Sequence, residues 1–211
     1  MVVNTARKKR KIEKRRREIL ETAKQLFLSR SYLDVTVDEI ADAADISKAT
    51  IYSYFENKSE IYSAVTIADA ETMVASMQNA IKSESDTRSN LHALAWSYIR
   101  FFFANPEYFE KLSWFYFPGR EKHLSRTQIE AVGARFDLAR GIIAKCLTIG
   151  IKRGELRRID VKTAATTIYS QWLGIVYLAV ASKPSRNKWI PNVEKAIVFS
   201  IDMQLKGLLK P

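Results

Sequence analysis

Cysteine is almost absent from this chain. Of 211 residues only Cys146 carries a thiol, which excludes an intramolecular disulfide and a cysteine-rich zinc site. That usage fits a reducing cytoplasm, the expected location. Histidine is nearly as scarce. His92 and His123 stand alone, belong to no metal-spaced cluster, and are accompanied by no phosphate-cradling glycine loop or nucleophile motif. No enzyme and no cofactor are therefore expected. Seven glycines, five prolines and no sustained period-2 alternation argue against sheet and for an all-α fold. Only one stretch, Thr163 to Ser182, runs twenty positions without charge, the length a bilayer crossing needs. Its Thr163, Thr166, Thr167, Ser170, Gln171 and Ser182 weaken insertion, so a helix buried in a domain or a subunit interface is expected and no membrane partner. The N-terminal charges are followed by no apolar run, so no secretory signal is expected there.

What the chain does have is positive charge, unevenly placed. Lys and Arg total 34 against 23 acids, a balance of +11. Nine of the basic residues (Arg7, Lys8, Lys9, Arg10, Lys11, Lys14, Arg15, Arg16, Arg17) fall in the first 17 positions with one acid, Glu13, so this end contributes +8. Such a run points to a polyanion, nucleic acid before membrane, although a solvated tail without a partner has the same composition.

Most of the chain reads as helix. The patterning predicts a first helix over about 11–29, with Ile19, Ala23, Leu26 and Phe27 on one face. A short pair follows at about 37–44 and 48–55, then a connector from Asn57-Lys58-Ser59-Glu60, a capping-box pattern, to about Ser83. Ser83 to Ser89 reads as a loop, with further helices over about 90–104, 125–153, 160–182 (capped by Asp160) and 191–209. The expected division is a head of residues 1–57 and an all-helical body of 58–211.

The most informative segment is Thr36 to Lys58, TVDEIADAADISKATIYSYFENK. Thr36 with Glu39 forms a capping box. Val37, Ile40, Ala41 and Ala44 share one face, and Ala44-Asp45-Ile46 makes a corner. Ser47 caps the next helix, while Ile46 and Ile51 have the spacing of a hydrophobic staple. Ile51 and Phe55 anchor that helix inward. Lys48, Ala49, Thr50, Ser53 and Tyr54 are left outward, a face suited to the DNA major groove.

RREILETAKQLF (Arg16 to Phe27) and VTVDEIADAADISKATIYSYFENKSEIYSAV (Val35 to Val65), followed by an all-helical body, resemble the TetR family of transcriptional regulators. Thr36, Ile40, Ala41, Ser47, Lys48, Ile51, Tyr52, Tyr54, Phe55, Lys58 and Ile61 occupy the family's pattern positions. The chain departs from it at Asp45 and Ala49, where many relatives have glycine, and at Arg30-Ser31-Tyr32, where a glycine usually ends the first helix. Asp tolerates a left-handed backbone better than most residues.

The resemblance implies an N-terminal helix-turn-helix DNA-binding domain followed by a ligand-binding and dimerisation domain. Phosphate contacts would come from Thr36, Tyr52 and Lys58. Groove contacts would come from Ser47, Lys48, Ala49, Thr50, Ser53 and Tyr54. The basic run, including Arg15, Arg16 and Arg17, would lie over the backbone or enter the minor groove. The partner is double-stranded DNA with a palindromic operator, bound by a homodimer. Its interface would use 160–182 with either 125–153 or 190–209. Trp172, Leu173, Val176 and Val180 fit either an interface stripe or intrachain core. A hydrophobic or aromatic small-molecule effector would meet Trp96, Arg100, Phe103, Phe109, Trp114, Tyr169, Gln171 and Trp172, a set that packing alone also explains. The implied activity is a repressor released by its ligand. The alternative is a structural or protein-regulated DNA binder of the same fold without an inducer.

Overall fold

A computed structural model describes residues 2–108, 111–112, 115, 123–181 and 192–208. The described residues are mostly helical, with no strand among them. We number the helices α1 (Val2–Ser29), α2 (Val37–Ala43), α3 (Lys48–Tyr52), α4 (Lys58–Ala80), α5 (Thr87–Ala104), α6 (Arg126–Lys152), α7 (Val161–Ala181) and α8 (Val193–Leu208). The chain forms two compact units, residues 1–69 with 114–132 and residues 70–113 with 133–211. The division therefore falls inside α4 and α6, not at residue 57 as expected. The first part of the connector supplies Ile61, Tyr62 and Val65 to the core of the first unit, which too few residues of the head could close alone.

In the first unit α1 packs on α2 and α2 on α3. Ile19, Val35, Ile40, Ile51 and Ile61 are fully buried there, with Phe27, Tyr32, Phe55 and Tyr62 beside them. Phe27 and Tyr62 meet edge to face at 5.0 Å, and Tyr32 and Tyr62 at 4.8 Å, geometry that aromatic quadrupoles favour. Helix α1 begins about nine residues earlier than its apolar face indicated, and the basic run is helical.

In the second unit α7 packs on α8 and both lie against α5. Caps explain where these helices start. Asp86 accepts the Ser89 N–H at 2.7 Å, so α5 opens at Thr87, inside the segment expected to be loop. The Asn90 side chain meets both the N–H and the carbonyl of Lys82 at 2.9 Å, ending α4 at Ala80. Asp160 accepts from the Thr163 N–H at 3.3 Å, as its position predicted. Gly154 has φ 76° and terminates α6. Gly150 permits close approach: a Cβ there would stand 2.3 Å from Thr87 Oγ1. Cys146 is buried nearby, and burial pushes its thiol up to about 11, which leaves it a poor nucleophile at neutral pH.

Candidate nucleic-acid interface

The corner between α2 and α3 is built from the backbone outward. Ile46 N–H donates to Ala41 O at 3.0 Å and Asp45 N–H to Asp42 O at 3.1 Å, the paired bonds of a Schellman turn. Asp45 takes the left-handed residue of that turn at φ 51°, the only positive φ at a non-glycine among the described residues. Ile46, just after it, is partly buried against the core and holds the turn over Ile51.

Both short helices are capped as the sequence predicted. Thr36 Oγ1 accepts the Glu39 N–H at 3.2 Å, and Thr36 N–H donates to Glu39 Oε2 at 2.8 Å. Arg30 donates to the other carboxylate oxygen at 2.7 Å. That guanidinium, with the Thr36 backbone and hydroxyl bonds, holds the Glu39 carboxyl down at about 2. Ser47 Oγ accepts from Thr50 N–H at 3.1 Å and lies 2.9 Å from the Thr50 hydroxyl. Lys48 pairs with Asp38 of α2 at 2.8 Å, a bridge raising the lysine pKa and tying the two short helices together.

Helix α3 is five residues, shorter than the expected 48–55. Turn bonds from Tyr54 N–H and Phe55 N–H to Ile51 O continue the chain's path beyond it. Ile51 and Phe55 are buried as anchors, whereas Lys48, Ala49, Tyr52 and Ser53 are exposed and Thr50 is half-buried. Tyr52 therefore presents its ring to solvent. Tyr54, expected outward, is half-buried against the core. With Lys8, Lys11, Ile12, Lys14, Arg15 and Glu18 of α1 it lines a groove of about 490 Å³. Arg16 turns the other way and stacks its guanidinium 4.9 Å from the Phe55 ring centre. Arg15 pairs with Glu18 at 3.0 Å, and Arg17 is exposed.

Lys58 departs from expectation most. Its ammonium donates to Tyr32 O at 2.7 Å and Val35 O at 2.8 Å, and sits 4.4 Å from the Tyr32 ring centre. Here it is an internal clamp on the α1–α2 loop. The clamp also explains how the first helix stops without glycine, since carbonyls left open by Tyr32 and Val35 find a donor. Sequence spacing offered no sign of this, because Lys58 and Tyr32 are 26 positions apart.

Residues 19–65 match the family model for bacterial regulatory proteins of the tetR family. Residues 19–65 are thus a TetR-family domain. Among its relatives, the transcriptional activator FasR of Mycolicibacterium smegmatis is 33% identical over 89 residues, 42% of this chain and 41% of FasR. The transcriptional repressor KstR2 of Rhodococcus jostii is 31% identical over 80 residues, 38% of this chain and 39% of KstR2. The chain thus matches about two fifths of the length of these curated relatives. The structure of the TetR-family regulator PfmR from Thermus thermophilus superposes with a TM-score of 0.65 at 24% identity, over 91% of this chain and 99% of PfmR. That likeness establishes the fold of the body as well as the head.

In the body, the candidate effector residues that are described differ in burial. Tyr169 and Trp172 are buried and pack around Tyr98, with ring centres 5.7 and 6.0 Å apart. Trp96 is half-buried, while Arg100, Phe103 and Gln171 are exposed. Gln171 Oε1 accepts from Ser200 Oγ at 2.8 Å and from Gln204, so it joins α7 to α8. Phe109 and Trp114 lie outside the described residues. Buried Trp172 Nε1 has no hydrogen-bond partner among the described residues. Trp172 and Val176 are fully buried within the chain, which assigns them to core and not to an interface stripe. Leu173 is partly buried, and the Val180 side chain lies outside the described residues. The large apolar side chains exposed on α7 and α8 are Leu178, Phe199 and Met203, with Tyr177. No described helix is long and apolar enough to cross a membrane.

Proposed function

We propose that this protein is a transcriptional regulator that binds a palindromic operator in double-stranded DNA as a homodimer, in the cytoplasm, and is released by a small-molecule effector. The observation that carries the DNA reading is α3. Ile51 and Phe55 hold it from behind, and Lys48, Ala49, Tyr52 and Ser53 face solvent, as a helix entering the major groove requires. Ser47, Thr50 and Ser53 supply hydroxyls at its edge, and Thr36 and Tyr52 flank it for phosphate contacts. Arg15 and Arg17 extend the positive face.

Two heads are needed to read two half-sites. The exposed Leu178, Phe199 and Met203 support an interface made by α7 and α8. An effector must favour one conformation of the body to change the spacing of the two heads, because equal affinity for both states shifts nothing. The aromatic cluster around Trp172, with a buried indole N–H available to an acceptor, has the chemistry to take a hydrophobic or aromatic ligand. Repression is the proposed mode. The close ring packing of Tyr98, Phe102, Tyr169 and Trp172 favours, as a second reading, a structural or protein-regulated DNA binder without an inducer.

Selection of bound duplexes from a random pool tests the first reading. It should return a palindrome of two short half-sites about one helical turn apart, and Thr50→Ala should alter the bases selected. An unenriched pool would refute the regulator assignment. Footprinting across a genome separates the second reading, since a coating protein covers many sites where a regulator protects few.

A further inference from the structure

Between Asp45 and Glu56 the only charged side chain is Lys48. It is the first residue of α3, a place where a cation opposes the helix dipole. Its ammonium donates to Asp38 Oδ2 at 2.8 Å, from the first turn of α2. The other acids of α2 are placed differently. Glu39 is held by Arg30 and by the Thr36 cap, and Asp42 is exposed one turn further on. Asp38 thus cancels the single charge that α3 would carry into a groove.

An uncancelled lysine is drawn to the phosphates of any sequence, and each such contact releases counterions whatever the bases. A lysine held by a carboxylate has a fixed direction instead. One of its N–H groups is taken, and the others remain to donate to base edges. The tether also removes in advance part of the rotamer entropy that a free lysine loses on binding. An exposed ion pair is weak, yet its charge balance does not depend on its strength. If Lys48 leaves Asp38 for a phosphate, the bare carboxylate stays beside the same backbone and repels it.

We infer that Asp38 is a specificity-determining residue: acting through Lys48, it restrains sequence-independent binding and leaves α3 to discriminate by base contacts. The inference rests on the DNA-binding reading above and adds a positioning residue to it. Specificity is the difference between two affinities, and Asp38 acts chiefly on the weaker one.

The affinity of the full chain is measured against salt for the selected duplex and for a shuffled one. Circular dichroism checks that each variant stays folded. Asp38→Asn keeps the size and polarity of the side chain but not its charge. Its affinity for the shuffled duplex should rise at low salt, and the slope of log K against log salt should steepen by about 0.9. A fourfold rise in salt should therefore cost this variant about 3.5-fold more affinity than it costs the wild type. The selected duplex should gain less, so the ratio between the two duplexes should fall. Asp38→Glu, which retains a carboxylate, should restore that ratio. Adding Lys48→Gln to Asp38→Asn should abolish the extra slope. Asp42→Asn removes the same charge from the same helix and should leave the slope near the wild-type value. An equal steepening by Asp42→Asn would overturn the inference, since a diffuse field predicts that equality. So would an extra slope that survives Lys48→Gln. A purely structural Asp38 predicts a lower melting temperature for Asp38→Asn with the slope and the shuffled-duplex affinity unmoved, and that result too would sink the inference. These outcomes leave the DNA reading standing, whereas a wild type that selects no sequence from the random pool would refute that reading and this inference with it.

Discussion

Replacing Lys58 with alanine removes two short charge-assisted hydrogen bonds, to Tyr32 O at 2.7 Å and Val35 O at 2.8 Å, a longer one to Leu33 O at 3.4 Å, and the ammonium over the Tyr32 ring at 4.4 Å. Hydrogen bonds to a charged group are each worth about 1.5–3 kcal/mol, and the ring contact adds about 0.5–1 kcal/mol. Two effects reduce the sum. Burial already pushes the Lys58 pKa down, a sign that holding this ammonium out of water has a cost. The half-exposed site also lets water reach the freed carbonyls. A net loss of about 2–3 kcal/mol follows. For a unit of roughly 60–100 residues, 1 kcal/mol moves the melting temperature by about 4–8 °C, so thermal unfolding followed by circular dichroism should show a fall of about 10–20 °C. DNA affinity should fall too, because the clamped loop leads into Thr36 and the start of α2. The slope of affinity against salt should nevertheless stay at its wild-type value, since no phosphate contact is lost. Lys58→Met, which keeps the aliphatic stem, should reproduce most of the melting loss. A slope reduced by about 0.9 with an unchanged melting temperature would refute the clamp and return Lys58 to the phosphate role.

Asp45→Gly should raise stability by about 0.5–1 kcal/mol, because the left-handed φ of 51° disfavours a side chain. A denaturation midpoint that falls would refute the strain argument. Glu39→Gln should destabilise the protein at neutral pH. The folded carboxyl lies at about 2, below the ordinary 4.5, so its contribution is full above about 4.5 and is lost as pH falls to about 2. The gap between wild type and variant in melting temperature should close across that window, and a gap that persists at its lower end would count against the Arg30–Glu39–Thr36 cluster. Leu178→Glu with Phe199→Glu should yield monomers in sedimentation velocity and weaken operator binding at least tenfold. A double variant that remains dimeric would exclude the exposed face of α7 and α8 as the interface.

Local chemistry in the head was legible from residue order alone. A threonine followed three positions later by glutamate, a serine before Lys48, and an isoleucine on each side of that cap dictate two short capped helices and the corner joining them. These bonds join residues a few positions apart, so spacing carries the information. The burial of Ile51 and Phe55 followed for the same reason, and the family pattern placed them in a TetR-type head. What sequence left open or misplaced depends on residues far apart along the chain. The Lys58 ammonium finds carbonyls more than twenty positions away, and Tyr54 leaves the outward face because α1 runs beside it. The choice of core for Trp172 and Val176 was equally beyond periodicity, since one apolar stripe serves a subunit partner or a neighbouring helix. Only tertiary packing decides which surface covers such a stripe, because burial is a property of the assembled chain and not of any local run of residues.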